Sequence, residues 1–256
     1  MSTARAPVVD ILMYHSISHA GGATSITPPA FAAQMQALQD AGLPVLSLDQ
    51  VAEGLSGGTP LPAHSVALTF DDGFQDFADT AWPQIKRRGW PVTVFLPTDR
   101  MGGAENWKGQ MSPPRPLMSW QEVIRLSREG VDFGGHTATH ADMPTLSPAE
   151  LTHEIRASFD AIKARTGRAP RHFAPPYGHS TAPVRQAIVQ VFATSCGTGL
   201  GQTRPGADLQ DLPRLEMFYF TNMTRWRRHL EGRGRGYLAL RRILRQIRQR
   251  SLSIAR

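Results

Sequence analysis

Two adjacent carboxylates closing an apolar run in ALTFDDGF, and two histidines four residues apart in VDFGGHTATHADM, are the residues here best suited to chemistry. Side by side, Asp71 and Asp72 resist joint ionisation unless a cation relieves them, and a metal ion is the simplest relief. On a helical turn, His136 and His140 would present both imidazoles on one face at chelating distance. Together with Asp72 they form a two-histidine, one-carboxylate set with positions left open for water and substrate, which is a catalytic and not a closed structural pattern. The histidine pair alone would also suit capping or hydrogen bonding at a strand end; the Asp-Asp pair turns the reading towards a metal.

A third segment, RHFAPPYGHS, sets Tyr177 in a loop stiffened by two prolines and a glycine. A backbone N–H held there beside a metal would suit a developing oxyanion, although the segment alone reads as an ordinary turn. A fourth, LMYHS, delivers His15 to the tip of an apolar stretch close to the N-terminus. Histidine titrates near neutral pH, which suits protonation of a departing amine; a core histidine bonded to backbone is the alternative.

The elements that must position these groups alternate between strand-like and helix-like patterns. Strands are expected at 8–15, 45–48, 65–71, 92–96, 131–134, 172–174, 191–195 and 212–218. Between them, Thr27 and Pro28 open a helix that stops at Gly42, and Ser147, Pro148 and Glu150 form a capping box for a helix running to Gly167. Further helices are expected at 74–88, 120–128 and 183–189. Such alternation predicts a parallel sheet, open or closed into a barrel, with the chemistry at the C-terminal ends of its strands. The long irregular stretch 97–118, rich in Gly and Pro, is expected to be functional. At 256 residues with 41% hydrophobic residues, one large core and one domain are the default.

The net charge of +7 is unevenly spread: residues 225–256 hold eleven arginines and one glutamate, a local +10 that leaves −3 for residues 1–224. A main domain over 1–224 and a basic tail over 225–256 follow. In the tail, Leu240, Ile243, Leu244, Ile247 and Ile254 share one helical stripe, which suits either docking on an anionic membrane or packing on the domain with a solvated arginine face. No aromatic-interleaved basic motif accompanies the charge, so no nucleic-acid partner is expected. The lone Cys196 excludes an internal disulfide, and the short N-terminal apolar run with Asp10 fits neither a signal peptide nor a span, so a cytoplasmic protein, peripheral on the inner membrane face, is expected.

TFDDG, HTATH and APPYG, in this order, resemble the motifs of the polysaccharide deacetylases, the NodB-homology family or carbohydrate esterase family 4. The resemblance spans about residues 11–218 and implies a single-domain α/β fold, a distorted (β/α)7 barrel, here followed by the basic amphipathic helix. It implies removal of acetyl groups from glycans with a divalent metal, zinc first and Co2+, Ni2+ or Fe2+ as alternatives. By residue, Asp71 would be the catalytic base, Asp72, His136 and His140 would bind metal, and the Tyr177 N–H would complete the oxyanion hole. Many members have an arginine where this chain has Ala174, so Arg214 in LPRLEM is expected to steady Asp71 instead. The usual late Leu-x-His segment is missing. The chain resembles the subgroup that opens with a Tyr-His pair and includes poly-N-acetylglucosamine deacetylases; there His15 would be the general acid, facing the metal from the side opposite Asp71.

The activity implied is N-deacetylation of a polysaccharide or lipid-linked N-acetylhexosamine. Hydrolysis of another non-peptide C–N bond on the same scaffold, or an impaired glycan- or membrane-binding protein, are the alternatives. His19, His64, His153 and His172 have no partner pattern, His229 lies in the tail, and His179 follows the PPYG turn where it could line the cleft. Trp107 could stack on a sugar, whereas Trp120 is expected to pack in the core.

Overall fold

A computed structural model describes residues 6–234 and 236–244. Seven strands close into one parallel barrel in chain order: β1 (Val8–Tyr14), β2 (His64–Phe70), β3 (Thr93–Leu96), β4 (Asp132–Gly135), β5 (His172–Phe173), β6 (Thr194–Leu200) and β7 (Leu212–Glu216), with β7 returning to β1. The helices α1 (Pro28–Ala41), α2 (Leu48–Leu55), α3 (Trp82–Arg87), α4 (Trp120–Arg128), α5 (Pro148–Thr166), α6 (Ala182–Ile188) and α7 (Met223–Leu230) follow or connect the strands. This is the distorted (β/α)7 architecture implied by the motifs.

Strand periodicity divides the core. Leu12, Tyr14, Val66, Leu68, Phe70, Val94 and Leu96 face outward against the helices, while Val9, Ile11, Ala67, Phe95, Cys196 and Leu212 fill the interior. Side chains alternate at every residue of a strand, so Asp71 continues the inward series of Ala67 and Thr69, His15 that of Val9 and Ile11, and Arg214 that of Leu212.

The expected caps are present. Thr27 accepts from the Ala30 N–H and Gly42 closes α1 in the left-handed region, and Ser147 and Glu150 complete a capping box on α5, which ends at Gly167. Three expectations need correction. Residues 45–48 are not a barrel strand: Val45 makes one isolated bridge to Val66, and Ser47, in a capping box with Gln50, starts α2 instead. The stretch 74–88 is helical over 75–87 but not a regular α-helix throughout, because it holds a π-helical turn, Phe77–Ala81, that runs directly into α3. The sixth strand lies later than 191–195, because Val191 and Phe192 close the turn that ends α6.

The helix α7 crosses the 224/225 position and buries Trp226, His229 and Leu230. His229 Nε2 and His64 Nε2 each lie 2.8 Å from Asp10 Oδ2, joining the outer face of β1 to β2 and α7. Residues 236–244 form a further helix that buries Leu238 and exposes Leu240, Ile243 and Leu244. Ile247 and Ile254 lie outside the described residues. Among the described residues no helix is long and apolar enough to cross a membrane.

Candidate active site

Residues at or just beyond the C-terminal ends of β1, β2, β4 and β5, together with Arg214 of β7, converge on one site. Asp71 directly follows β2, and its carboxylate is gripped by Arg214 through Nη1 to Oδ1 at 2.6 Å and Nη2 to Oδ2 at 2.7 Å. Arg214 is fully buried; its Nη1 also reaches Thr69 Oγ1 at 3.2 Å, and its Nε donates to the Gly197 carbonyl at 2.9 Å. The carbonyl is available because β6 bulges between Cys196 and Leu200, where it spends four residues against two of β7. Burial pushes the Asp71 carboxyl up, but the charge and hydrogen bonds of Arg214 outweigh it and hold the group below the usual carboxylate range. The guanidinium predicted to replace the arginine missing at Ala174 is therefore in contact with Asp71, arriving from a different strand.

Asp72, His136 and His140 come together as predicted: one ligand atom from each lies within 4.8 Å of the others, and all three are buried. Asp72 Oδ1 is 3.2 Å from His136 Nε2 and 3.3 Å from His140 Nε2. Burial raises the Asp72 carboxyl, yet donation from the two imidazoles, when they carry a proton on Nε2, takes it well below its ordinary value; burial lowers His140, with Asp72 partly opposing. The donor set fits a divalent cation on its own chemistry. His136 Nδ1 lies 2.6 Å from the Ala174 carbonyl, which can only accept, so Nδ1 carries the proton. In the neutral ring Nε2 then presents a lone pair to a carboxylate oxygen, a repulsive contact that a cation between them makes attractive.

The route by which the histidines meet differs from the one expected. Residues 136–140 form a loop, not a helical turn, because Thr137 and His140 adopt left-handed backbones with φ of 63° and 64°. Asp72 at φ 72° and Tyr177 at φ 60° complete the set: every non-glycine residue with positive φ among the described residues lies in a loop of this site. Such conformations each cost of order 1–3 kcal/mol and persist only where the surroundings over-determine them. One enforcing group, missed in the sequence, is Glu154 of α5, whose carboxylate accepts from the Ala138 and Thr139 N–H groups and the Thr139 hydroxyl. A lone Glu within a helix carries no sequence signal for such a role.

His15 also sits elsewhere than expected. It lies beside Asp71, with Nε2 3.9 Å from Oδ2, and not across the site from it. The register explains this: β1 pairs Tyr14 with Phe70, so the next residues of both strands leave the barrel as neighbours. Tyr14 anchors the tip by stacking on Phe70 and donating to Gln34, and Asp76 fixes the chain beyond it through the Ser16 hydroxyl and the Ile17 N–H.

Tyr177 lies in the turn Pro176–Gly178 and puts its ring edge to His140, with centroids 4.8 Å apart. His179 pairs with Asp142 at 2.7 Å on the surface. Trp107 does not offer both faces to a sugar, because one is stacked on His140 at 4.2 Å. Trp120 packs against the core and Met118 is fully buried. Burial pushes the Cys196 thiol up to about 12, so it remains a protonated core residue.

The sequence model of the family described as "Polysaccharide deacetylase" matches residues 58–194. The chain is 30% identical over 152 residues to a chitooligosaccharide deacetylase of Bradyrhizobium sp. (strain ANU 289), covering 59% of this chain and 59% of that protein. It is 29% identical over 121 residues to the poly-beta-1,6-N-acetyl-D-glucosamine N-deacetylase of Escherichia coli (strain K12), covering 44% of this chain and 18% of that protein. Each of these curated relatives is thus matched over less than two thirds of its own length. Among solved structures, the Streptococcus pyogenes deacetylase PplD in complex with acetate superposes with a TM-score of 0.71 at 26% identity, over 82% of this chain and 92% of that one. IcaB from Ammonifex degensii shares the fold with a TM-score of 0.76 at 22% identity, over 90% of this chain and 98% of that one.

Proposed function

This chain belongs to the polysaccharide deacetylase family, and on that premise we propose that it is a metal-dependent hydrolase removing N-acetyl groups from a polysaccharide or lipid-linked saccharide of N-acetylhexosamine. The observation that carries this reading is the Arg214-clamped Asp71 carboxylate next to the buried Asp72, His136 and His140 set. A carboxylate kept ionised, and outside the chelating trio, is free to act as a base.

Asp72, His136 and His140 would hold the divalent ion, zinc by preference, which when bound supplies Lewis acidity to an acetyl carbonyl and to an attacking water. Asp71 accepts the proton of that water as it adds to the carbonyl carbon, and Arg214 keeps both carboxylate oxygens oriented for the transfer. The Tyr177 N–H, fixed by the left-handed turn, donates to the developing oxyanion. His15 protonates the sugar nitrogen, so that acetate and a free amine separate. Acetate release from N-acetylglucosamine oligomers tests the scheme: stripping the protein with chelator should abolish release, and zinc should restore it better than Co2+, Ni2+ or Fe2+. Full release from metal-free protein would refute the metal role.

The partner surface and location belong to the same proposal. Leu240, Ile243 and Leu244 are about half exposed on the 236–244 helix, while Arg242 donates to the Leu200 carbonyl and Arg241 lies over the Tyr219 ring. These two arginines are spent on the barrel and the apolar side chains face outward. With the +10 charge of residues 225–256, the occupant of that face is an anionic lipid surface on the cytoplasmic side, each nearby basic residue contributing about 1 kcal/mol. Substituting Leu240, Ile243 and Leu244 together by serine should abolish flotation with phosphatidylserine vesicles and move the protein from the membrane to the soluble fraction of cells. Unchanged flotation would remove the membrane from the account.

A further inference from the structure

The two histidines of the metal set are supported differently. His136 is fixed through Nδ1 by the Ala174 carbonyl, the usual kind of outer hydrogen bond that orients a ligating imidazole. His140 has no such support from another residue: its Nδ1 is buried and receives no hydrogen bond from any neighbouring segment among the described residues. Its ring is instead held between aromatic groups, with Trp107 stacked face to face at 4.2 Å and 15° and Tyr177 edge-on at 4.8 Å and 84°.

Trp107 comes from the long 97–118 loop, which has its own buried anchor. Arg115 and Glu105 form a two-point ion pair, Nε to Oε1 and Nη2 to Oε2, both 2.8 Å. Glu105 also accepts from the Met111 and Arg115 N–H groups. Arg115 continues to Ser25 Oγ and the Thr24 carbonyl, and its guanidinium lies 4.1 Å from the Phe74 ring centroid, just beyond Asp72 and Gly73. A two-point charge pair with every other donor engaged is a rigid fixture.

We propose that Trp107 is a positioning residue for the metal centre: stacked on His140 and fixed by the Glu105–Arg115 clamp, it replaces the missing outer hydrogen bond and sets the affinity for the ion. This inference rests on the metal reading of Asp72, His136 and His140. The loop then has a duty independent of contacting glycan, and disturbing it should loosen the ion before it alters sugar recognition.

The test is zinc affinity of the purified full chain, measured by competition with a chromogenic chelator, together with the visible spectrum of the Co2+-loaded protein. Trp107→Ala should weaken zinc binding by about 10–100-fold, the range for lost outer support of a metal ligand, and should change the Co2+ absorption bands. Trp107→Phe, which keeps a stacking ring, should restore affinity to within a few-fold of wild type. Glu105→Gln, which leaves Trp107 intact but removes the charge of its anchor, should give an intermediate loss. Far-UV circular dichroism reports whether each variant is folded, and the Glu105 variant carries the test if Trp107→Ala is not. Wild-type affinity in folded Trp107→Ala, or equal losses in the Ala and Phe variants, would overturn the proposal. No zinc binding by the wild type would overturn the metal reading itself and this inference with it, a result distinct from the first.

Discussion

Asp71→Asn is expected to lower acetate release from N-acetylglucosamine oligomers by about 10²–10⁴-fold, the scale for a lost general base, while zinc affinity stays near that of wild type. The split follows from geometry. Asp71 faces Arg214 through both oxygens and lies outside the set that can chelate, so the amide removes the proton acceptor without removing a ligand. The pH profile carries the same information. Burial raises the Asp71 carboxyl and Arg214 more than reverses this, so its folded-state value is depressed. A depressed carboxylate is in its basic form above that value and loses it only as pH falls through it, so the acid limb due to Asp71 lies below the ordinary carboxylate range of about pH 4. A variant keeping more than a tenth of wild-type activity would assign the base elsewhere. His15→Ala offers a contrast: its loss should be large for the sugar amide and small for an ester with an acidic phenol leaving group, which departs without protonation. Equal losses on both substrates would take the acid role from His15.

Arg214→Met should be the most damaging change to stability and should also disable catalysis. Removing one partner of a buried pair leaves an uncompensated charge, at a cost of about 3–5 kcal/mol, and here the remaining charge would be Asp71, 3% exposed. The pH dependence should reverse in sign. In the wild type the Asp71 contribution is present above the ordinary carboxylate value and lost as pH falls. In the variant, burial is opposed only by the weaker fields of His15 and His136 and raises the carboxyl, so the penalty is full near neutral pH and is relieved on acidification as the group protonates. Arg214→Lys should recover part of the stability but little of the activity, because an ammonium cannot span both carboxylate oxygens while also reaching Gly197 and Thr69. Urea denaturation at several pH values and the pH–rate profile measure both effects; stability and activity equal to wild type in the methionine variant would show the fork contributes nothing.

Much of this was legible in one dimension. Buried parallel strands read as near-continuous apolar runs, and Thr27, Gly42, Ser147 and Gly167 mark helix ends by local hydrogen bonding and backbone freedom. The short run at 45–48 resembles a strand for the same local reason, yet Val45 makes one isolated bridge to Val66 and Leu48 already begins α2. The Asp-Asp pair and the spaced histidines were recognisable because metal chelation restricts residue type, wherever the backbone then turns.

By itself the sequence determined an alternating α/β order with a parallel sheet, the trio Asp72, His136 and His140 as a set that could hold a metal, and Asp71 as a neighbouring carboxylate, because strand periodicity and chelating residue types are written in type and spacing, while closure into a barrel came from the resemblance of its motifs. Only the tertiary structure decided what holds them. The β1–β2 register sets His15 beside Asp71 and not opposite it. The β6 bulge turns the Gly197 carbonyl to Arg214, Glu154 reaches the 136–140 loop from α5, and Trp107 covers His140 from a loop some thirty residues upstream. These supports are contacts between distant segments that each use an ordinary side chain, and barrel closure, not any local pattern, brings them within a few ångströms of the chemistry.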